Sequence, residues 1–297
     1  MTVNATNHAD FIPEIWAAQA LGYLKANTVM LNLVNHDYDN EIARDGDTIN
    51  VSSRGSLTVR TKSAGTQISS DSPTGTTKAI TVSHKYISFV VEDIAEAQAR
   101  PDLIDGYIGD GIAMIAEDID ASLLALYSGF STTAIDATSG IGVDDLTEAR
   151  RILNAAKVPQ TGRSIVWHED AEAEILQLAA FTNAQNDPAN ATALQLATMG
   201  RKYGFGHYMD QQVVATGGEC KNLAFHRDAM AFVSRRLPDP PANVGVRAAN
   251  MVEDNIAIRV LWGYSMADIG VQVVIDLVYG AAELRDNHAV VIRSSEV

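Results

Sequence analysis

Apolar and polar positions alternate along this chain with two different periods, and the changes of period divide it. Near the N-terminus Phe11, Ile15, Ala18, Leu21 and Leu24 fall at helical spacing, with Trp16 beside them and Pro13 in a first turn. A second apolar cluster, Val29-Met-Leu31, leads to the turn signal Arg44-Asp-Gly-Asp47. Two readings stay open for this stretch: an amphipathic helix on the core, or an arm that packs on another chain. The period then drops to two. Thr48-Ile-Asn-Val-Ser52 and Leu57-Thr-Val-Arg-Thr61 alternate, which predicts half-buried strands. Ala79 to Val91 alternates on the return, and the intervening GTQISSDSPTGTTK reads as a loop tip. A long β-hairpin is therefore expected over 50–90. A two-stranded hairpin alone is marginal in water, so this one should lie on something else.

The helical period returns over 102–129. Ile104, Ile108, Ile112, Ile115, Ile119, Leu123 and Leu126 recur every three or four residues, flanked by Tyr107 and Tyr127. Asp102 after Pro101 can cap the start, and Gly129 suits the stop. Gly106, Gly109 and Gly111 weaken the helix but permit close packing or a bend. Such a rod is roughly 40 Å long and serves as a spine.

Residues 131–230 read as alternating helices and strands. A Ser/Thr/Gly linker at 131–142 precedes a helix capped by Asp144 or Asp145, with Leu146, Ala149, Ile152, Leu153 and Ala156 inward. Val158-Pro159 ends it. Ser164-Ile-Val-Trp-His168 is a buried strand, and Glu169–Phe181 a helix with Ile175, Leu176, Leu178 and Ala179 inward. Residues 182–195 look like an exposed loop. A Gly200–Gly206 turn leads to a strand at Gln212-Val-Val-Ala215, with another at Leu223–Val233. The tail alternates strands and turns at Ile256–Trp262, Gly270–Gly280 and Ala289–Arg293. No internal repeat is visible.

Composition narrows the function classes. The chain has 297 residues, 46% hydrophobic and 20% charged, so it can bury one large core or two to three small ones, and wholesale disorder is excluded. Net charge is −15, which opposes binding to nucleic-acid phosphates. Cys220 is the one cysteine, which rules out an intrachain disulfide and a multi-cysteine zinc site. The N-terminal stretch has neither a basic region nor an apolar core, so no secretory signal is expected, and the sequons at Asn4, Asn50 and Asn190 read as chance. No apolar run reaches membrane length. A soluble, acidic, intracellular protein is expected. The charge is uneven. From Asn50 to Val90 the bases Arg54, Arg60, Lys62, Lys78 and Lys85 face one acid, Asp71, a net of +4. From Val91 to Phe130 nine acids, among them Asp102, Asp105, Asp110, Glu117, Asp118 and Asp120, face Arg100 alone, a net of −8. A basic hairpin beside an acidic body is complementary to its own kind of surface. Segregation that serves only solubility is the competing reading.

Candidate chemistry is thin. Gly263-Tyr-Ser-Met-Ala267 approaches a nucleophile elbow, and Asp276 and His288 follow Ser265 in hydrolase order. The elbow needs a helix after the serine, whereas strand-forming residues follow. His168-Glu-Asp170 lacks the second histidine of a zincin motif and reads as a strand end before acids that start a helix. Gly200, Gly204 and Gly206 lack the Lys-Ser/Thr of a phosphate loop. No nucleophile pattern surrounds Cys220. The reading is of no catalytic, cofactor or metal residues and a structural role.

The order of parts resembles a family. Phe11-Ile-Pro-Glu-Ile-Trp16, the Gly46-Asp-Thr48 turn into a long hairpin, and the spine helix look like a tailed-bacteriophage major capsid protein of the Hong Kong 97 fold. Lys157-Val-Pro-Gln-Thr-Gly-Arg-Ser-Ile-Val-Trp167, Gly200-Arg-Lys-Tyr-Gly-Phe-Gly206, Val278-Tyr-Gly-Ala-Ala-Glu-Leu-Arg285 and the final Ala-Val-Val-Ile strand are similar to that family's middle and ending. The resemblance implies an α+β fold. Its parts would be an N-terminal arm (1–49), an extended hairpin or E-loop (50–90), a peripheral P-domain (91–130 and 231–272) and an axial A-domain (131–230 and 273–297). It implies hexamers and pentamers that tile an icosahedral head around double-stranded DNA, assembled in the bacterial host cytoplasm, with a portal protein. A separate scaffolding protein is implied by the lack of a long charged N-terminal extension, and a decoration protein is a further partner. Contacts between chains are expected from Arg54, Arg60, Lys62 and Lys78 to acids such as Asp102, Asp105, Asp110 and Glu117, or those between Asp37 and Asp47. The alternatives are an encapsulin-like nanocompartment shell, a serine hydrolase using Ser265, and another virion part such as a decoration or tail protein.

Overall fold

The computed structural model describes residues 28–37, 48–53, 57–72, 74–93, 103–182, 199–241, 245–253 and 256–296. The expected N-terminal helix around Phe11–Leu24 and the exposed loop after Thr182 lie outside these residues, apart from the loop's first residue. Within them the chain forms three sheets and one long helix. Strands β1 (Thr48–Ser53) and β2 (Thr76–Thr81) pair antiparallel, from Thr48 opposite Thr81 to Ser53 opposite Thr76. Strand β3 (Ser83–Glu92) leaves this pair and enters a five-stranded sheet. The expected return strand is thus broken at Val82, and its two halves serve different sheets.

The spine helix α1 spans Leu103–Leu124 and closes in a 3-10 turn, Ala125–Gly129. Its stripe of Ile108, Ile112, Ile115, Ile119 and Leu123 is buried. It packs in the same core as Ile258 and Val260 of β12 (Ile256–Ser265) and Val273, Ile275, Leu277 and Tyr279 of β13 (Gly270–Glu283). Each such side chain contributes about 2 kcal/mol. Gly111 allows the close approach expected of it: a Cβ there would stand 3.4 Å from Ile87 of β3. β13 organises the sheet. One edge carries β3 along Gly270–Tyr279, and the other carries β12 first and then β10 (Met230–Arg235). β11 (Val246–Glu253) adds outside β12.

The seven-stranded sheet runs in the order β4, β14, β9, β5, β7, β6. These are Ile135–Ala137, Ala289–Ser295, Glu219–His226, Arg163–Trp167, Phe205–Met209 and Arg201–Lys202; β8 (Ala215–Thr216) pairs with β9. Ile165, Trp167, Ala224, Val290 and Ile292 face helices α2 (Val143–Ala155) and α3 (Glu169–Ile175), while Val166, Leu223, Phe225, Ala289 and Val291 join the core of the spine. Burial on both faces is why these strands read as unbroken apolar runs. α2 starts two to three residues before the expected Asp144 or Asp145 cap: Gly142 is the N-cap, and Asp145, inside the first turn, accepts the Gly142 N–H at 2.8 Å. It ends in a left-handed Lys157 (φ 59°), with Lys157 N–H bonded to Asn154 O and Val158 N–H to Leu153 O.

Several expectations need correction. The linker at 131–142 contains β4, which pairs parallel with β14. The helix from Glu169 stops at Ile175, and a separate short α4 (Ala179–Thr182) follows; Ala179 is exposed while Phe181 is fully buried. The strand expected at 212–215 lies earlier, as β7, behind the tight Tyr203-Gly204 turn, where both residues have positive φ. The strand expected over 223–233 is two strands, β9 and β10, in different sheets. Residues 270–283, which the expected parts divide at 272/273, form one strand of the five-stranded sheet.

Candidate functional site

The hairpin has a built foot and an unbuilt tip. Ile49 and Ile80 are buried against Ala231 and Val233 of β10, flanked by Val51, Val82, Ala282 and Leu284. Beyond the foot, residues 57–72 form no strand, so the half-buried strand expected at Leu57–Thr61 is corrected. Leu57 is 74% exposed, Val59 100% and Ile68 79%. Asp71 ties the two legs together: its carboxylate accepts the Thr58 N–H at 2.7 Å and pairs with Arg60 at 2.5 Å, while Arg60 also donates to Ser69 O at 3.0 Å.

The charges of the hairpin are mostly spent within the chain. Arg60 is paired with Asp71. Lys78 lies 3.0 Å from both Glu283 and Asp286, hydrogen bonds that raise its pKa. Lys85 lies 3.2 Å from Asp118 of the spine, so hairpin-to-spine complementarity is already met in one copy. Lys62 has no ion-pair partner among the described residues. Arg54 and Asp102 lie outside the described residues, as does the Asp105 side chain. Asp110 and Glu117 are exposed on α1. With Tyr107 (50% exposed) and Met114 (57%) they fall at spacings of three, four and three, on one outward stripe. The sequence pattern singles out the two acids, and Tyr107 only as a flank of the buried stripe; Met114 was missed, and its spacing from Asp110 was the available signal.

The N-terminal segment is clamped beneath. Asp120, on the buried side of α1, accepts the Val29 N–H at 2.8 Å and the Met30 N–H at 3.2 Å. Asn35 bridges to β10 through its N–H to Met230 O and its carbonyl to Phe232 N–H, and its side chain donates to Asp228. The Asp120 carboxyl abuts that of Asp210, whose Oδ2 is buried without a donor. Burial first, then the Asp210 charge, pushes Asp120 up to about 7; burial also raises Asp210, with Glu117 adding to the effect. The pair therefore holds a proton near neutral pH. Asp120 is not available to another chain.

The hydrolase constellation is not assembled. Ser265 is paired with Gly270 across the hairpin, and its hydroxyl donates to Asp268 at 2.7 Å. Asp276 lies six residues farther along β13, about 20 Å away at strand rise. It is buried, forked by Arg259 and bonded to His84 at 2.9 Å. His288 is in neither cluster; it sits by His226 in a polar groove at the hairpin foot, beside Asn35, Lys78 and Asp286.

No family model matches the chain, and no curated protein matches it either. Solved structures do. A chain from Mycobacterium phage Che8 is 22% identical and aligns over 89% of this chain and 90% of its own, with a TM-score of 0.65. One from the capsid of cyanophage P-SCSP1u is 15% identical over 91% and 89%, at 0.66. One from the capsid of a native GTA particle is 9% identical over 90% and 90%, at 0.63. The chain therefore has the fold its sequence resembles, the α+β Hong Kong 97-type fold, shared over about nine-tenths of its length with a chain of the cyanophage capsid and one of the GTA-particle capsid.

Proposed function

We propose that this chain is the major capsid protein of a tailed phage, building hexamers and pentamers of an icosahedral head around double-stranded DNA. The observation that carries the reading is alternation without burial. Leu57 and Val59 keep the spacing of a strand that covers something, yet one copy leaves them bare, and with them Ile68 on the other leg. The outward stripe of Tyr107, Asp110, Met114 and Glu117 supplies the matching chemistry, apolar for the three aliphatic groups and acidic for Lys62. The tip of one copy then lies along the spine helix of its neighbour as the E-loop. The spine and five-stranded sheet form the P-domain, and the seven-stranded sheet the A-domain about the capsomer axis. The role is structural. A portal protein, a scaffolding protein and a decoration protein are its partners. The site is the virion head, assembled in the bacterial cytoplasm.

The experiment is electron microscopy of purified protein beside the double variant Leu57→Asp, Val59→Asp. Closed particles are expected from the native chain, with residues 57–72 resting on the neighbour's Tyr107–Glu117 face. The variant should lose particles while its subunit melts within about 0.5 kcal/mol of native, because both positions are exposed. A tip folded onto its own subunit inside the particle would overturn the reading. Particles formed around a protein cargo without DNA would favour a nanocompartment instead.

A further inference from the structure

The inference concerns an open edge of the five-stranded sheet, away from the hairpin tip. β11 is the outermost strand there, paired to β12 without a bulge from Val246 opposite Gly263 to Glu253 opposite Ile256. Which of its main-chain groups are free follows from β12. Ala257 lies opposite Val252, yet its N–H turns the other way and donates to the Ser234 hydroxyl at 3.0 Å. Bonded and non-bonded pairs alternate along an antiparallel ladder. Arg247, Ala249, Met251 and Glu253 therefore turn their N–H and C=O groups to β12. Val246, Ala248, Asn250 and Val252 turn theirs outward, and among the described residues none of these groups has a main-chain partner. Edges that stay single are guarded by lysine, proline or a bulge. β11 has none of the three, and it leaves Val246 40% and Val252 53% exposed.

We propose that β11 pairs antiparallel with β11 of a second copy, across a two-fold axis through Ala249. Three features carry this. First, the register satisfies the whole edge. Outward residues must stand opposite outward residues, and a pairing centred on Ala249 sets Val246 opposite the partner's Val252 and Ala248 opposite the partner's Asn250. Every outward N–H then meets a C=O. Centring on Ala248 or on Asn250 leaves Val252 or Val246 overhanging. Second, the exposed valines cover each other at both ends of the ladder, at the spacing where cross-strand side chains touch. Third, the charges agree. Arg247 faces the partner's Met251, and the diagonal position beyond it is residue 253, a glutamate. A diagonal neighbour is within reach of a long side chain, and no like charges stand opposite. The same residues serve both copies, as an isologous contact requires. Ala249 faces the core of the spine, so the spine helices of both copies lie on one side of the joined sheet.

The experiment is disulfide trapping of the purified full-length chain carrying Val246→Cys and Val252→Cys together, oxidised with glutathione disulfide and run on a non-reducing gel. Both positions are exposed, and the native Cys220 is fully buried and stays silent. Opposite residues of a bonded pair have Cα atoms about 5.5 Å apart, inside the range a disulfide spans. The double variant should therefore run as a linked dimer. Each single variant should stay monomeric, because like positions in the two copies lie about 20 Å apart along the ladder. Arg247→Glu in the double variant should lower dimer yield about fivefold, and adding Glu253→Arg should restore it. No dimer from the double variant, or a dimer from either single one, would overturn the pairing. Slow hydrogen exchange at the outward amides of β11 without the disulfide would assign the edge to a different strand and overturn it too. The band does not depend on the hairpin tip, so its failure is separable from failure of the capsid reading.

Discussion

At the scale of single residues, the polar groups in the core do structural work that residue type alone does not announce. His207 is a buried residue of β7 in the seven-stranded sheet. Its Nδ1 accepts the Trp167 indole N–H at 3.1 Å and its Nε2 donates to Lys202 O at 3.2 Å, so the neutral ring uses both nitrogens. Phe181 meets it edge-on. Burial lowers its pKa to about 4, from an unfolded value of about 6.5. Between those values the unfolded chain binds the extra proton. The stability contributed is therefore complete above about pH 6.5 and is lost as pH falls towards 4, amounting to about 3 kcal/mol. His207→Gln keeps one acceptor and one donor but cannot titrate. It should cost about 1–2 kcal/mol at pH 7 through lost ring packing, and shrink the further loss on going to pH 4.5. Urea denaturation at the two pH values, followed by tryptophan fluorescence, checks this. The same scale explains why the hydrolase pattern misled: Ser265, Asp276 and His288 keep the right order, but order carries no distance, and Asp276 is committed to Arg259 and His84.

At the scale of elements, the segment 28–37 and the spine are joined through a shared proton. Asp120 holds the Val29 and Met30 N–H groups while abutting Asp210 from the loop after β7. A carboxyl held up to about 7, against 3.8 when unfolded, means the folded state binds more protons between those values. Its contribution to stability therefore declines as pH rises from about 4 to about 7, the reverse of His207. Above pH 7 two charges face each other, with Glu117 nearby. Hydrogen exchange at residues 28–35 should accelerate, beyond the intrinsic rate, between about pH 4.5 and about pH 7 and level off above that, and Asp210→Asn should remove most of that acceleration. An unchanged pH profile in the variant would count against the shared proton. Elements were legible where one face or both faces are buried within the chain, as in α1, β5, β12 and β14. β11 was missed because Val246-Arg-Ala-Ala-Asn-Met-Val-Glu253 mixes small and polar residues at a sheet edge, with Val246 and Val252 exposed. The hairpin tip was misread for the opposite reason. Its alternation is real, but a pattern of two shows that one side is to be covered without showing which chain covers it.

At the scale of the whole molecule, the two cores meet through the inner face of the seven-stranded sheet, and the chain crosses between sheets at Arg227–Ala229 and again after Glu283. Order along the sequence could not show that β13 anchors three other strands, because its partners come from residues 83–92, 230–235 and 256–265. Nor could it show how charge is spent. The +4 of the hairpin invited an electrostatic account of contact between copies, but Arg60, Lys78 and Lys85 are neutralised by Asp71, Glu283, Asp286 and Asp118 of their own chain. What remains between copies is an apolar tip, one lysine among the described residues, and bodies that each carry −15. Like-charged bodies repel over a Debye length that shrinks from about 20 Å or more in dilute buffer to a few Å in concentrated salt. Apolar contact does not weaken with salt. Assembly yield should therefore rise as sodium chloride is raised from about 0.02 M to about 0.5 M. Lys62→Glu should shift that curve to higher salt, with little effect at its upper end. Light scattering across the series reads both effects. A yield that falls steadily with salt would show that unlike charges dominate the contact, and would return the hairpin's net charge to the role its sequence first suggested.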